Sequence, residues 1–248
     1  MPRSNPPTAL DFDAFDVLTF DCYGTLIDWE AGLLAALRVA MAPHAIAAPL
    51  DGPDDETLLA TFARHEAALE AGKYTPYREV LGRALQGMGT DLGFEPTDDE
   101  VEVFGGSVVD WPAFPDSAAA LALLAGRFRL GVITNCDDDL FAASAAKLGD
   151  PFDWVVTAQQ ARRYKPNARG FELAFERIGI PPKRILHVAQ SLFHDHAPAK
   201  ALGLRTVWID RRAGRAGSGA TPRASASPDA RFTSMAEFAA AAAPDAEP

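Results

Sequence analysis

Four stretches of this chain set reactive polar side chains directly after apolar runs. They are Asp21 after FDVLTF, Thr134 and Asn135 after RLGVI, Lys165 in YKP, and Ser191 to Asp195 in QSLFHD. Carboxylates, a lysine and hydroxyls are the groups of nucleophilic catalysis and proton transfer. A lone Asp at a strand end is ordinarily a helix cap or a turn residue. Four such ends, widely separated in sequence, are hard to explain as structure alone. Only a fold that gathers them makes one site.

The elements around them point to such a fold. Short apolar runs at 15–20, 129–134, 153–157, 184–189 and 204–209 read as strands, with helical patterns at 116–126, 138–148, 168–178 and 195–202 between them. Strands apolar throughout and separated by helices indicate a parallel sheet covered on both faces. Such a sheet binds ligands beyond the carboxyl ends of its strands. Asp137, Asp138 and Asp139 open one helix and Gly149 closes it, as caps and the helix dipole require. Residues 30–104 break the rhythm, with helices at 31–41, 55–71, 77–88 and 98–104 and no strand. The expected architecture is a doubly wound, Rossmann-like α/β core (1–29 and 105–248) carrying an inserted helical cap (30–104). The Gly/Ser/Ala/Pro-rich stretch 211–230 reads as a mobile loop before a short last strand and helix.

Composition narrows the partners. With 248 residues and 48% hydrophobic content the chain can bury a sizeable core. A formal charge of −11 argues against nucleic acid or an anionic membrane surface. Two cysteines, Cys22 and Cys136, form no disulfide framework and suit a reducing cytoplasm as packing thiols. The start MPRSNPPTAL lacks the apolar segment and cleavage site of a signal peptide. No run approaches the roughly 18 apolar residues of a membrane span.

FDCYGTL, Thr134-Asn135, Lys165-Pro166 and the late Asp195 together resemble the haloacid dehalogenase superfamily over nearly the whole chain, cap included. Within it the likeness is to the 2-haloacid dehalogenases. That resemblance implies that Asp21 is the nucleophile and forms an ester that water then hydrolyses. Phosphatases of the superfamily carry a second Asp two residues after the nucleophile, to protonate the leaving alcohol; Tyr23 stands there instead. A halide leaves without a proton. Where those phosphatases have an Asp that helps bind magnesium, this chain has Gln190. Both departures point to attack at carbon with no metal and no cofactor, since magnesium serves phosphoryl transfer. By the same resemblance Lys165 keeps Asp21 ionised, and the Thr134 hydroxyl and the backbone N–H groups of Cys22 and Tyr23 hold a substrate carboxylate. Asn135 cradles the halide, and Asp195 orients or activates water. The halide-binding cap residue falls on Arg64, or on His65 with a slip of one. The expected partner is a small 2-haloacid, and apolar cap helices in this family support a homodimer.

The late motif departs from the best-known branch, which has Ser at the place of Gln190, Asn at Leu192 and Tyr at Phe171. His194 or Ser191 would serve the substrate pocket instead, and the halogen stays open, fluoroacetate included. His187 reads as a hydrogen-bonded core residue. HDH at 194–196 invites a metal reading, but adjacent side chains rarely point the same way. Trp29, Tyr74, Tyr77 and Trp111 could line a cleft or simply pack. A magnesium-dependent phosphatase and a catalytically silent binding protein remain the alternatives.

Overall fold

The computed structural model describes residues 10–44, 53–213 and 224–245. The N-terminal stretch 1–9 and residues 214–223 of the Gly/Ser-rich loop expected at 211–230 lie outside the described residues.

Six parallel strands form one sheet in the order β3-β2-β1-β4-β5-β6. They are β1 (Val17–Phe20), β2 (Arg129–Thr134), β3 (Trp154–Thr157), β4 (Ile185–Ala189), β5 (Arg205–Ile209) and β6 (Ala230–Phe232). The first strand sits mid-sheet, with Val17–Phe20 in register with Arg129–Val132 on one side and Ile185–Val188 on the other. The chain winds outward through β2 and β3, returns to β4, and continues to β6. The crevice where this direction reverses lies between β1 and β4. All residues of β1 and β4 are buried, as expected of strands covered on both faces.

Four long helices follow β1 before the sheet resumes: α1 (Trp29–Met41), α2 (Asp55–Glu70), α3 (Tyr77–Leu92) and α4 (Asp98–Gly106). Three of them begin on a sequence-readable signal. The side chains of Asp28 and Asp54 accept from Ala31 and Thr57 N–H, and Thr97 with Glu100 forms a capping box. Gly93 ends α3 at φ 81°, a left-handed conformation that favours glycine. Leu33, Leu37, Leu58, Phe62, Leu81, Leu85 and Phe104 bury the inner faces of these helices in the larger of two apolar clusters.

The sheet's covering helices are α5 (Ser117–Ala125), α6 (Asp138–Lys147), a short α7 (Ala158–Ala161), α8 (Arg169–Ile178), α9 (Ala197–Ala201) and α10 (Met235–Ala242). The helix expected at 195–202 is instead a widened turn over Leu192–His196 followed by α9, with Pro198 at its start. Asp137 also departs from expectation. It sits at the N-cap of α6 but makes no capping bond there. Its carboxylate reaches into the helical insert, accepting from Tyr77 N–H (2.9 Å), Arg78 N–H (3.0 Å) and Tyr74 O–H (3.3 Å). The acid thus caps α3, tying the insert to the strand edge. No described helix is long and apolar enough to cross a membrane.

Candidate active site

The turn after β1 is tight because the Cys22 carbonyl accepts from Thr25, Leu26 and Ile27 N–H, and Gly24 takes φ 89°. That geometry leaves Asp21 at the strand tip with both carboxylate oxygens engaged. Thr25 Oγ1 donates to Oδ2 at 2.7 Å and Lys165 Nζ donates to Oδ1 at 2.8 Å. Lys165 Nζ also donates to Asp195 Oδ1 at 2.6 Å and to the Ile133 carbonyl at 2.8 Å. An ammonium has three protons, and all three are committed. Asp21, Lys165 and Asp195 are each under a tenth exposed.

The charges follow from this arrangement. Burial works against the Lys165 ammonium, but the two carboxylates hold its pKa above the ordinary lysine range. Burial likewise opposes the charge on Asp195; Lys165 and His187 override it and hold this carboxylate well below its usual range. For Asp21 burial is the larger effect and pushes its pKa up, with Lys165 pulling the other way. Lys165 therefore offsets the desolvation of Asp21 without driving it below the ordinary value.

His187 belongs to this site, although its sequence context gave only a core residue. It is fully buried; one ring nitrogen lies 3.1 Å from Asp195 Oδ1 and the other 3.0 Å from Thr19 Oγ1. It fixes the orientation of Asp195 from behind. Thr25 is the second residue that sequence reasoning passed over, and its hydroxyl also accepts from Gln190 N–H at 2.9 Å. A hydroxyl four residues after a strand-end acid was the signal available. The Thr25 carbonyl is in turn held by Arg211, whose Nε and Nη2 lie 3.1 and 2.9 Å away.

Above the triad lies a cavity of about 60 Å³ lined by Asp21, Tyr23, Trp29, Asn135, Lys165, Gln190, Ser191, His194 and Asp195, with Glu66, Glu70 and Tyr77 contributed by the insert. Ser191 Oγ accepts from His194 N–H at 2.9 Å, and burial lowers the His194 pKa to about 4, so the ring is neutral at pH 7. His196 points elsewhere: it is fully buried and its Nε2 lies 2.9 Å from the Ala189 carbonyl. Trp29 and Tyr77 line the cavity. Tyr74 instead stacks on Tyr164, and Trp111 packs edge-on against Tyr23.

Several expected positions are corrected. Arg64 does not face the cavity: its guanidinium bonds Asp91 at 2.6 Å on the surface, with 62% of its side chain exposed. His65 shares that aspartate at 2.6 Å and packs over Gly87 of α3. The reason is helical phase. Leu58 and Phe62 are buried in α2, and residues 66 and 70 continue that stripe at intervals of four, whereas 64 falls about 200° round from Phe62 and 65 about 60° to the side opposite 66, against Gly87 of α3. The insert therefore presents Glu66 and Glu70 to the cavity. Phe171 is also displaced: it is fully buried in the smaller apolar cluster, edge-on to His187 with centroids 5.0 Å apart. With no hydroxyl, it packs where a tyrosine was the resemblance's expectation. Thr134 and the Cys22 side chain are buried and line no part of the cavity. Asn135 lines it, but its amide spans the Lys165 backbone, accepting from Lys165 N–H at 2.7 Å and donating to Lys165 O at 3.1 Å. Its evident work is to place the lysine.

Residues 15–203 match the family model described as haloacid dehalogenase-like hydrolase. A (S)-2-haloacid dehalogenase of Pseudomonas putida is 25% identical over 203 residues, covering 79% of this chain and 85% of that one. The L-2-haloacid dehalogenase of Xanthobacter autotrophicus, solved with chloropropionic acid covalently bound, superposes with a TM-score of 0.72 at 23% identity, covering 91% of this chain and 97% of that one. A magnesium-bound HAD-hydrolase of Bacillus subtilis also has a TM-score of 0.72, at 21% identity, covering 90% of this chain and 96% of that one. Those structural likenesses speak for the fold alone. With a strand-tip acid, a lysine bridging it to a second acid, and a family match over most of its length, the chain belongs to the haloacid dehalogenase-like hydrolases.

Proposed function

We propose that this protein hydrolyses a carbon–halogen bond in a short 2-haloalkanoic acid, through an ester on Asp21 and without a metal. The observation that carries the reading is the Lys165 ammonium wedged between Asp21 and Asp195. It supplies positive charge directly to both acids. The residue at position 190 supports the same reading: a neutral Gln stands where, by the resemblance, phosphatases have a magnesium-binding Asp. Curated relatives with dehalogenase names, at 25% and 28% identity, support the same chemistry.

In the first step a carboxylate oxygen of Asp21 forms a bond to the alpha carbon while the halogen leaves with the bonding electrons as halide, inverting that centre. Tyr23, two residues after the nucleophile, offers no carboxylic acid, and none is needed for halide to leave. The N–H groups of Cys22 and Tyr23 lie outside the turn's own hydrogen bonds and are available to the substrate carboxylate. In the second step water adds to the ester carbonyl. Asp195 Oδ2, buried and without a hydrogen-bond partner, takes a water proton, which passes to the departing alkoxide, and the second water proton is released to solvent as the Asp21 carboxylate re-forms. The product is a 2-hydroxy acid whose new oxygen came from Asp21.

The test is halide release from chloroacetate, fluoroacetate and both enantiomers of 2-chloropropionate in excess chelator, with Asp21→Asn as control. Release that persists under chelation and vanishes in D21N is expected. Magnesium-dependent hydrolysis of a phosphate ester with no halide release would replace this reading by the phosphatase one. Exposed Val39 on α1 and Val103 on α4 support the homodimer expected from the resemblance, and a monomer in sedimentation would refute it.

A further inference from the structure

The mechanism leaves two cavity acids unused. Glu66 and Glu70 sit on the inward stripe of α2, facing a cavity whose floor already holds Asp21 and Asp195. Glu66 accepts from the Tyr77 hydroxyl at 2.7 Å, while Glu70 makes no hydrogen bond among the described residues. Inward carboxyls are costly unless something answers them. Among the described residues only the Tyr77 hydroxyl donates to the pair, and burial raises the pKa of both, Glu66 to about 7. Lys165 is the sole lysine or arginine lining the cavity among the described residues, and its three protons are spent on Asp21, Asp195 and Ile133 O. Burial keeps His194 neutral, and Tyr23, Trp29, Asn135, Gln190 and Ser191 carry no charge. Asp195, which lines the same cavity and is 1% exposed, has a further acceptor, Oδ2, without a hydrogen-bond partner.

A substrate with only a negative charge would meet four acids and no free cation. One that also carries a positive group would meet two free acceptors. We propose that Glu66 and Glu70 form an ammonium subsite, and that the substrate is a small halogenated amino acid whose ammonium lies against the insert while its halogen-bearing carbon faces Asp21. This rests on the reading of Asp21 as a nucleophile toward carbon. The subsite replaces the cationic cap residue expected at Arg64, and its sign is opposite. An ammonium offers three donors, matching the free oxygens of Glu66 and Glu70. The small cavity limits the ligand to a few heavy atoms beyond the carboxylate.

The experiment compares binding of two unreactive probes of similar size, 3-aminopropionate and propionate, by calorimetry on the wild type, Glu70→Gln and the Glu66→Gln/Glu70→Gln double variant. Halide release from 3-amino-2-chloropropionate and 2-chloropropionate is followed in parallel. The wild type is expected to bind 3-aminopropionate about tenfold or more tighter, with the ratio falling toward one in the double variant. Both substitutions keep shape and remove an acidic group, and circular dichroism checks the fold. Should the double variant fail to fold, E70Q alone decides, because its carboxyl supports no hydrogen bond. Equal or tighter binding of propionate, or a preference that survives in the variants, overturns the subsite. A binding preference without halide release from either substrate upholds the subsite and sinks the dehalogenase reading. Halide release with no preference does the reverse.

Discussion

Replacing Lys165 by methionine removes one ammonium and leaves two buried carboxylates facing each other. The structure sets the size of the effect. Three donor bonds of 2.6–2.8 Å disappear, two of them to charged partners under a tenth exposed. Breaking a buried ion pair by deleting one member costs about 3–5 kcal/mol, because the survivor stays desolvated and unpaired. The lysine here serves two acids, so the upper part of that range is expected at pH 7.5, read as a lower urea midpoint. Asp195, held below its usual range mainly by Lys165, contributes stability that is present above the unfolded pKa and lost as pH falls. In K165M that contribution is gone, so the deficit relative to wild type should hold from pH 7.5 down to about 4 and shrink only as pH falls below the unfolded value of 3.8. Adding Asp195→Asn should recover part of the loss, and this double variant also keeps the comparison measurable if K165M alone does not fold. A K165M protein within about 1 kcal/mol of wild type at pH 7.5, with no pH dependence of the difference, would refute the picture of a cation-locked acid pair.

Two further outcomes follow from the insert. Burial raises Glu66 from 4.5 to about 7, so its ionisation opposes folding: the associated stability is full below pH 4.5 and lost as pH rises through 7. Glu66→Gln should therefore gain on the wild type by about 2–3 kcal/mol between pH 5 and pH 9 in urea unfolding, and parallel pH profiles for the two proteins would exclude it. Asp137→Ala removes the acceptor that caps α3 and should cost about 1–2 kcal/mol. Because Tyr77 begins that helix and lines the cavity, KM should also rise; an unchanged KM would mean the tether has no part in shaping the pocket.

Much of this protein was open to reading in its residues. Uniformly apolar runs with helices between them imply a parallel sheet, because strands buried on both faces have no polar side to show. That in turn puts Asp21, Lys165 and Asp195 at one edge, and the structure joins them through a single ammonium. Tyr23 and Gln190 were legible as departures from a phosphatase pattern for the same local reason: each occupies a fixed offset from a motif residue. What chain order could not convey is which way side chains turn once elements pack. Arg64, His65 and Glu66 are neighbours in sequence, yet the phase of α2, set by Leu58 and Phe62 burying into the core, sends the first outward, the second against α3 and the third into the cavity. His187 gave no hint of its bond to Asp195, which exists because β4 and the widened turn after it bring residues eight apart within 3.1 Å. Asp137 looked like a cap for its own helix and caps α3 instead, a choice made by the approach of the insert to the sheet edge. Local pattern determined the strands, the helices and the chemistry at the strand tips. The charge of the pocket wall was decided only by tertiary packing, because a helix shows its neighbours one face and its sequence contains them all.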